Sequence, residues 1–275
     1  MKRLLFTLLF CLSAIFALGA KDGEVRGPQG AIAYKISLPE GFNPERDRCP
    51  MVLLMHGVFS NKDLSAMPSY AKALAEAGIA SIRFDFDGHG KSEGQMQDMT
   101  VEKEIADALA IYEYVKGLPY VTEIGFLGHS QGGVVASMAA GRLAEKGQAP
   151  KSMVLLAPGA VIKETCQSGK FFFTRFDPKD PPAFIRCFGF YKLGREYLLT
   201  TQNLDIYGTA APYKGKVCIL HGDKDIIVPL WCSERYQELY GAQSDLTILE
   251  GEGHKFSRHP KEAIRRIVEF FRESL

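Results

Sequence analysis

Short apolar runs alternate with longer amphipathic runs along most of this chain. The short runs are rich in β-branched residues, and several are apolar almost throughout, which is typical of strands covered on both faces. They span residues 32–38, 51–55, 79–84, 124–127, 153–156, 217–220 and 246–249. The longer runs have the spacing of helices and span residues 65–77, 101–117, 131–146, 231–240 and 260–273. The alternation predicts an α/β fold with a mostly parallel central sheet flanked by helices.

One long segment, residues 159–212, interrupts this alternation. It is aromatic and rich in proline, with Phe171–Phe173 and Pro181–Pro182, and it contains no clean strand pattern. A loop of this length without structure of its own is uncommon in a compact domain. We therefore expect an insertion with short helices that covers the site as a lid. An ordinary subdomain unrelated to the site is the alternative.

The first 20 residues have the layout of a secretory signal peptide. Lys2 and Arg3 precede the apolar run Leu4–Leu18, and small residues follow it up to Ala20. An uncleaved membrane anchor is the alternative, but about 15 apolar residues is short beside the roughly 20 needed to span a bilayer. We expect a protein exported to the periplasm or released, with one domain at residues 21–275 and no stable membrane insertion after cleavage.

The charge and the cysteine content of the chain argue against nucleic-acid binding and against a zinc site. The 33 Lys and Arg residues against 32 Asp and Glu residues give a net charge of +1, so the chain lacks the basic surplus with which proteins hold nucleic acid. No cysteine or histidine spacing matches a zinc site, and we expect no metal or organic cofactor. We predict that Cys218 is a buried, inert thiol. Cys166 and Cys187 could form a disulfide that closes a loop of the insertion.

The strongest chemical motif is Gly128–Gly132, which reads G-H-S-Q-G. It follows an apolar strand pattern and precedes a helical run rich in Ala and Gly. In such a strand-to-helix turn the serine hydroxyl projects from the sheet edge, and the glycines allow the strand and helix to approach closely. We predict that Ser130 is a nucleophile.

A serine nucleophile needs a base, and the base needs a carboxylate that fixes its tautomer. Asp223 and Asp225 follow the strand that ends near Leu220, and His254 follows the strand that ends at Leu249. Parallel sheets place their sites at these carboxyl ends. His254 is the last candidate base in a Gly-flanked turn after a strand, so we assign it as the base. The sequence pattern alone does not decide whether Asp223 or Asp225 orients this base.

The developing oxyanion also needs hydrogen-bond donors, each worth about 2.7 to 4 kcal/mol. The backbone N–H of Gln131 opens the helix after Ser130 and is the natural first donor. The N–H of Val58, which follows His56–Gly57, is the expected second donor.

Five motifs of the chain resemble bacterial cinnamoyl and feruloyl esterases of the α/β-hydrolase superfamily. They are HGVFSNK at 56–62, RFDFDGHGKS at 83–92, GHSQGGVVASM at 128–138, LLAP at 155–158 and GEGHKF at 251–256. The resemblance implies hydrolysis of hydroxycinnamate esters, small or derived from plant polysaccharides, beneath an inserted lid. It also implies that the acid is Asp225 rather than Asp223.

The same resemblance implies two lid residues that bind the phenol hydroxyls of the substrate, a tyrosine and an acidic residue. Tyr191 matches the tyrosine. The acidic position falls near Thr165, with Glu164 adjacent, which departs from the family. The family also often has Phe where Val58 stands, although the backbone N–H is the same.

Together these features predict an exported serine carboxylesterase with Ser130, Asp225 and His254 as its triad. Two other classes stay open. A serine peptidase on the same fold would need a lid site for a terminal amine, for which Glu164 and Glu196 are candidates. A non-catalytic binding protein on a hydrolase scaffold is the other alternative.

Overall fold

The computed structural model describes residues 21–275, so the predicted signal peptide at residues 1–20 lies outside the described residues. An eight-stranded sheet runs through the centre of the described chain. Its strands are β1 (Lys21–Arg26), β2 (Ala31–Ser37), β3 (Cys49–Met55), β4 (Ala80–Phe84), β5 (Val121–His129), β6 (Ser152–Leu156), β11 (Lys216–Gly222) and β12 (Ser244–Leu249). Their spatial order is β1-β2-β4-β3-β5-β6-β11-β12.

Most of this sheet is parallel. Only β1 with β2 and β2 with β4 pair antiparallel, and the other five pairs are parallel. All seven strand patterns found in the sequence correspond to strands, and the predicted α/β fold class is confirmed. β1 was not predicted because its sequence, KDGEVR, carries a single apolar side chain and gives no hydrophobic signal.

Helices cover both faces of the sheet. Outside the insertion they are α1 (Met67–Glu76), α2 (Val101–Lys116), α3 (Gln131–Glu145), α7 (Trp231–Tyr240) and α8 (Pro260–Ser274). Successive side chains of β3 enter opposite cores, because neighbouring strand residues point to opposite faces. Met51 and Leu53 pack in the core beneath α2 and α3, whereas Val52 and Leu54 pack in the core beneath α1 and α8.

The insertion lies between β6 and β11 and has more structure than predicted. It contains the short helices α4 (Ile162–Gln167), α5 (Arg195–Thr201) and α6 (Ile206–Ala210), as expected. It also contains two hairpins, β7 (Lys170–Phe171) with β8 (Thr174–Arg175), and β9 (Phe184–Cys187) with β10 (Tyr191–Gly194). Strands of two to four residues are too short to show alternation in a sequence.

The disulfide considered for Cys166 and Cys187 is not formed. Both are free, buried thiols, and burial raises the pKa of each. Cys218 is a buried free thiol, as predicted.

Residues 21–275 contain neither a candidate membrane helix nor a candidate metal site. No helix there combines the length and apolar character needed to cross a membrane. Nor does any group of three His, Cys, Asp or Glu side chains in that range have the arrangement to hold a metal ion.

Candidate active site

Ser130 sits in the turn that joins β5 to α3, with a backbone φ of 56° and ψ of −123°. Its N–H donates to Leu156 O at 2.9 Å, and its carbonyl accepts from Gly133 N and Gly159 N at 2.9 Å each. A Cβ at Gly132 would lie 2.3 Å from Met55 O, so a side chain there would push α3 away from β3. The strand-to-helix turn predicted for Ser130 is therefore present with a strained backbone, and hydrogen bonds and glycine hold it in place.

The structure brings Ser130, His254 and Asp225 into one hydrogen-bonded chain. Ser130 Oγ donates to His254 Nε2 at 2.9 Å, and His254 Nδ1–H donates to Asp225 Oδ2 at 2.7 Å. The three residues follow the carboxyl ends of β5, β11 and β12, where parallel sheets assemble sites. This geometry places a base against the hydroxyl and a carboxylate against the base.

The two candidate aspartates occupy different environments. Burial disfavours ionisation of Asp225, but the hydrogen bond from His254 and the N–H groups of Ile227 and Val228 hold its pKa below the ordinary value. Asp223 is exposed and instead accepts from Gly251 N at 2.6 Å. Asp225 is thus placed to orient His254, and Asp223 ties together the two loops that carry the acid and the base.

His129, next to the serine, supports the loop of the base. Burial and the nearby His254 lower the pKa of His129 to about 3, so its ring is neutral. His129 Nε2–H donates to the carbonyl of His254 at 2.7 Å. His221 lies buried at its strand end, with Nδ1 2.7 Å from Ser233 Oγ and Nε2 3.0 Å from Val228 O, so both ring nitrogens contact groups of the same loop and the helix after it.

A second loop, residues 56–62, passes beside the serine and carries Val58. A Cβ built on Gly57 would lie 3.5 Å from Ser130 Oγ, so this backbone is close to the nucleophile. Within residues 21–275 the N–H groups of Val58 and Gln131 donate to no protein acceptor, and both residues line the cavity that contains Ser130. Both groups are available to an oxyanion.

This loop is fixed at both ends by buried polar groups. Phe86 N donates to His56 Nε2 at 3.2 Å, and His56 Nδ1–H donates to Gly57 O at 2.9 Å. At the other end, Asp85 accepts from the backbone N of Lys62 at 2.7 Å and from its Nζ at 2.6 Å. The loop is therefore set before substrate arrives, as electrostatic stabilisation requires.

A buried hydrogen-bond network behind Gln131 was not predicted from the sequence. Tyr197 OH, from α5 of the insertion, donates to Gln131 Oε1 at 2.6 Å, and Gln131 Nε2 donates to Glu104 Oε2 at 2.7 Å. Burial raises the pKa of Glu104 to about 8 and that of Asp107, one turn along α2, to about 7. The signal was present in the sequence, because Glu104 shares the apolar helix face of Ala108 and Ile111.

Two cavities meet at Ser130. The first, about 310 Å³, is bounded by α4 and by residues 56–62, which we call the oxyanion loop, and it includes Thr165, Ser168 and Lys170. The second, about 500 Å³, contains His254 and has aromatic walls. Those walls are Phe59, Phe172, Phe188 and Tyr191.

The two lid residues predicted to bind substrate lie in different cavities. Tyr191 lines the second cavity and stacks on Phe59 with 4.6 Å between ring centroids. Thr165 lines the first cavity, and its hydroxyl donates to Ile162 O at 2.8 Å. Phe172 borders both cavities. The structure therefore does not bring Tyr191 and Thr165 together around one ring.

Comparison with known proteins agrees with this architecture. A family model described as serine aminopeptidase S33 (Hydrolase_4) matches residues 47–178, just under half of the chain. Est1E from Butyrivibrio proteoclasticus, solved with ferulic acid bound, is 28% identical, with a TM-score of 0.85 over 92% of this chain and 98% of its own. The chain has the α/β-hydrolase fold. It also resembles feruloyl esterases.

Other relatives of this α/β-hydrolase are human and fish proteins. Protein ABHD12B of Homo sapiens is 27% identical over 197 residues, which cover 70% of this chain and 51% of the relative. Lysophosphatidylserine lipase ABHD12 of Danio rerio is 25% identical over 207 residues, covering 75% and 50%. The chain spans about half the length of these curated relatives. With Est1E they support the assignment of a hydrolase.

The two aspartates give a matched pair of variants. We expect Asp225→Asn to lower kcat/KM for p-nitrophenyl acetate by about 10³-fold or more, because an amide at this position favours the wrong imidazole tautomer. Asp223→Asn loses only a bond between loops and should stay within about threefold of wild type. Steady-state assays of both variants measure this, and equal losses would contradict the assignment of Asp225.

Glu104 should make stability depend on pH. The unfolded carboxyl releases its proton near its ordinary pKa of 4.5, whereas the folded one does so at about 8. Between these values the folded state binds more protons, so ionisation of Glu104 destabilises the fold as pH rises. Glu104→Gln cannot titrate, and we expect its stability relative to wild type to increase from pH 5 to 8.

Denaturant unfolding at several pH values measures this difference. Glu102→Gln is the control, since Glu102 lies on an exposed face of the same helix and pairs with Arg142. A stability difference between Glu104→Gln and wild type that does not change with pH would show that Glu104 is not the titrating group.

Proposed function

We propose that this α/β-hydrolase is an exported serine carboxylesterase that hydrolyses hydroxycinnamate esters through an acyl-enzyme intermediate. The observation that carries the proposal is the hydrogen-bonded chain from Ser130 through His254 to Asp225, which opens onto a cavity with aromatic walls. The similarity to Est1E, whose solved complex contains ferulic acid, supports the same substrate class. Export rests on the sequence of residues 1–20.

In this proposal Ser130 Oγ attacks the ester carbonyl while His254 Nε2 takes its proton. The N–H groups of Val58 and Gln131 bind the oxyanion, and Asp225 stabilises the imidazolium. His254 then returns the proton to the departing alkoxide. A water molecule, activated by His254, attacks the acyl-enzyme and releases the acid.

The two cavities suit the two halves of such an ester. A planar cinnamoyl ring fits the second cavity, whose aromatic walls can pack against it. The first cavity offers Thr165, Ser168 and Lys170 to the hydroxyls of a sugar or other polar alcohol. Recognition of a phenol hydroxyl then falls to Tyr191, because Thr165 faces the other cavity.

A serine aminopeptidase is the competing activity, since the matching family model carries that description. A peptidase of this kind would need acidic groups that hold the substrate's terminal amine. Glu196 is exposed and pairs with Lys103 at 3.7 Å, and Glu164 is exposed on α4. Neither lines either cavity at Ser130. The ester therefore fits the site better than a peptide.

A substrate panel tests the proposed reaction. We expect methyl ferulate and methyl caffeate to be hydrolysed with higher kcat/KM than aminoacyl p-nitroanilides or lysophospholipids. Ser130→Ala should lower ester hydrolysis by at least about 10³-fold, because the residues of a triad act as a unit. Circular dichroism checks that the variant is folded. Near wild-type turnover by folded Ser130→Ala would disprove the mechanism.

Tyr191 tests the substrate class separately from the mechanism. A site built to pair a substrate hydroxyl discriminates strongly against the analogue that lacks it. We expect Tyr191→Phe to shrink the preference for methyl ferulate over methyl cinnamate several-fold, with p-nitrophenyl acetate hydrolysis unchanged. Tyr120→Phe is the matched control, because Tyr120 lies at the amino end of β5 and the site lies at the carboxyl ends of the strands. An unchanged ratio would make Tyr191 a packing residue of a broader carboxylesterase.

A further inference from the structure

The tips of the two insertion hairpins carry large apolar side chains that face solvent. Phe173 is 85% exposed, Phe190 67% and Phe188 50%. Phe188 contacts both Phe172 and Phe173, with ring centroids 4.9 Å and 6.2 Å apart. We call residues 172–173 and 188–190 the aromatic rim. Contiguous exposed apolar surface of this kind marks a site of interaction.

The backbone holds the aromatic rim in its outward position. Phe172 and Phe188 both have positive φ, 49° and 51°, a region that bulky side chains rarely adopt. The two hairpins are joined where Thr174 Oγ1 donates to Arg186 O at 2.6 Å. The exposed rings are therefore presented by a fixed turn in each hairpin.

Positive charge surrounds the aromatic rim. Lys170 and Arg175 flank the first tip, and Arg186 and Lys192 flank the second. All four are exposed, and none forms a salt bridge with a residue of the described chain. Residues 170–176 and 184–194 contain no Asp or Glu. The two hairpins thus combine exposed aromatic rings with positively charged side chains and carry no negatively charged side chain.

The aromatic rim borders the mouth of the site. Phe172 and Phe188 line the second cavity, and Phe173 lines the first, together with Ile226 from the loop of the acid. Ile226 is 93% exposed, so apolar surface continues across the entrance. Anything that covers this surface also covers the entrance to Ser130.

We propose that the aromatic rim docks on the surface of a lipid bilayer with anionic headgroups. Phenylalanine rings enter the boundary between headgroups and acyl chains, and basic side chains beside them pair with anionic lipids. The single sign of the charge favours an anionic surface, and the exposed rings favour one with an apolar interior. Docking turns both cavities towards the bilayer and gives Ser130 access to esters dissolved in it.

Vesicle co-sedimentation tests this docking without any substrate. Purified protein is mixed with extruded vesicles of phosphatidylcholine alone, or of phosphatidylcholine and phosphatidylglycerol at a ratio of 3:1. We expect the bound fraction to be several-fold larger on the anionic vesicles and to fall in 0.5 M salt. Phe190→Ser, and separately Arg186→Glu with Lys192→Glu, should each reduce it at least threefold. None of these three residues lines either cavity.

Matched controls lie away from the rim. Ile248→Ser removes an exposed apolar side chain from the edge strand β12. Arg46→Glu with Lys146→Glu reverses the charge of two exposed cations near the amino ends of the parallel strands, away from the site. Both should bind as wild type does. Circular dichroism shows that every variant is folded, and vesicle binding needs no hydrolysis, so a docking failure is distinct from failure of the proposed reaction.

Three results would overturn the proposal. The first is the absence of preferential binding to anionic vesicles, and the second is an equal loss of binding in rim and control variants. The third is equal binding to heparin and to anionic vesicles with no effect of Phe190→Ser, which would mean that charge alone attracts polyanions.

Discussion

The strained turn at Ser130 is the constraint on which the rest of the site depends. Its N–H and carbonyl are held by Leu156, Gly133 and Gly159, so β6 and the start of the insertion clamp the turn from outside. The same turn begins α3, whose first N–H, that of Gln131, borders the cavity at Ser130 and donates to no acceptor within residues 21–275. Because α3 can reach β3 only across glycine, the nucleophile and the oxyanion loop are positioned by one close contact.

Much of this architecture could be predicted from the sequence. Seven strands of the sheet have clear apolar patterns, and the G-H-S-Q-G motif is enough to predict Ser130 as the nucleophile. Asp225 was harder, since Asp223 lies two residues away in the same loop. The residues could not separate them, because the choice depends on which carboxylate turns inward towards His254. Ile227 N and Val228 N fix the Asp225 carboxylate locally, but its contact with His254 joins two loops 29 residues apart and leaves no signal in spacing.

Other features escaped prediction for physical reasons. The insertion hairpins are too short for periodicity, and their pairing depends on contacts with the core. The network of Tyr197, Gln131 and Glu104 joins three elements distant in sequence. Its one signal in the sequence is Glu104, a charged residue on the apolar face of α2. Tyr191 and Thr165 could be placed in the insertion by resemblance, but their separation by Phe172 follows from how the hairpins pack.

The position of the triad along the chain has a consequence for how this protein matures. The hydrogen bond between Ser130 and His254 joins residues 124 positions apart, and the insertion and three sheet strands lie between them. Contacts of such long range form late, because the entropy of closing large loops must be overcome before they are gained. A nascent or partly refolded chain therefore holds its serine without a base. The complete triad, in this architecture, is assembled at the end of folding and reports that β5, β11 and β12 have come together.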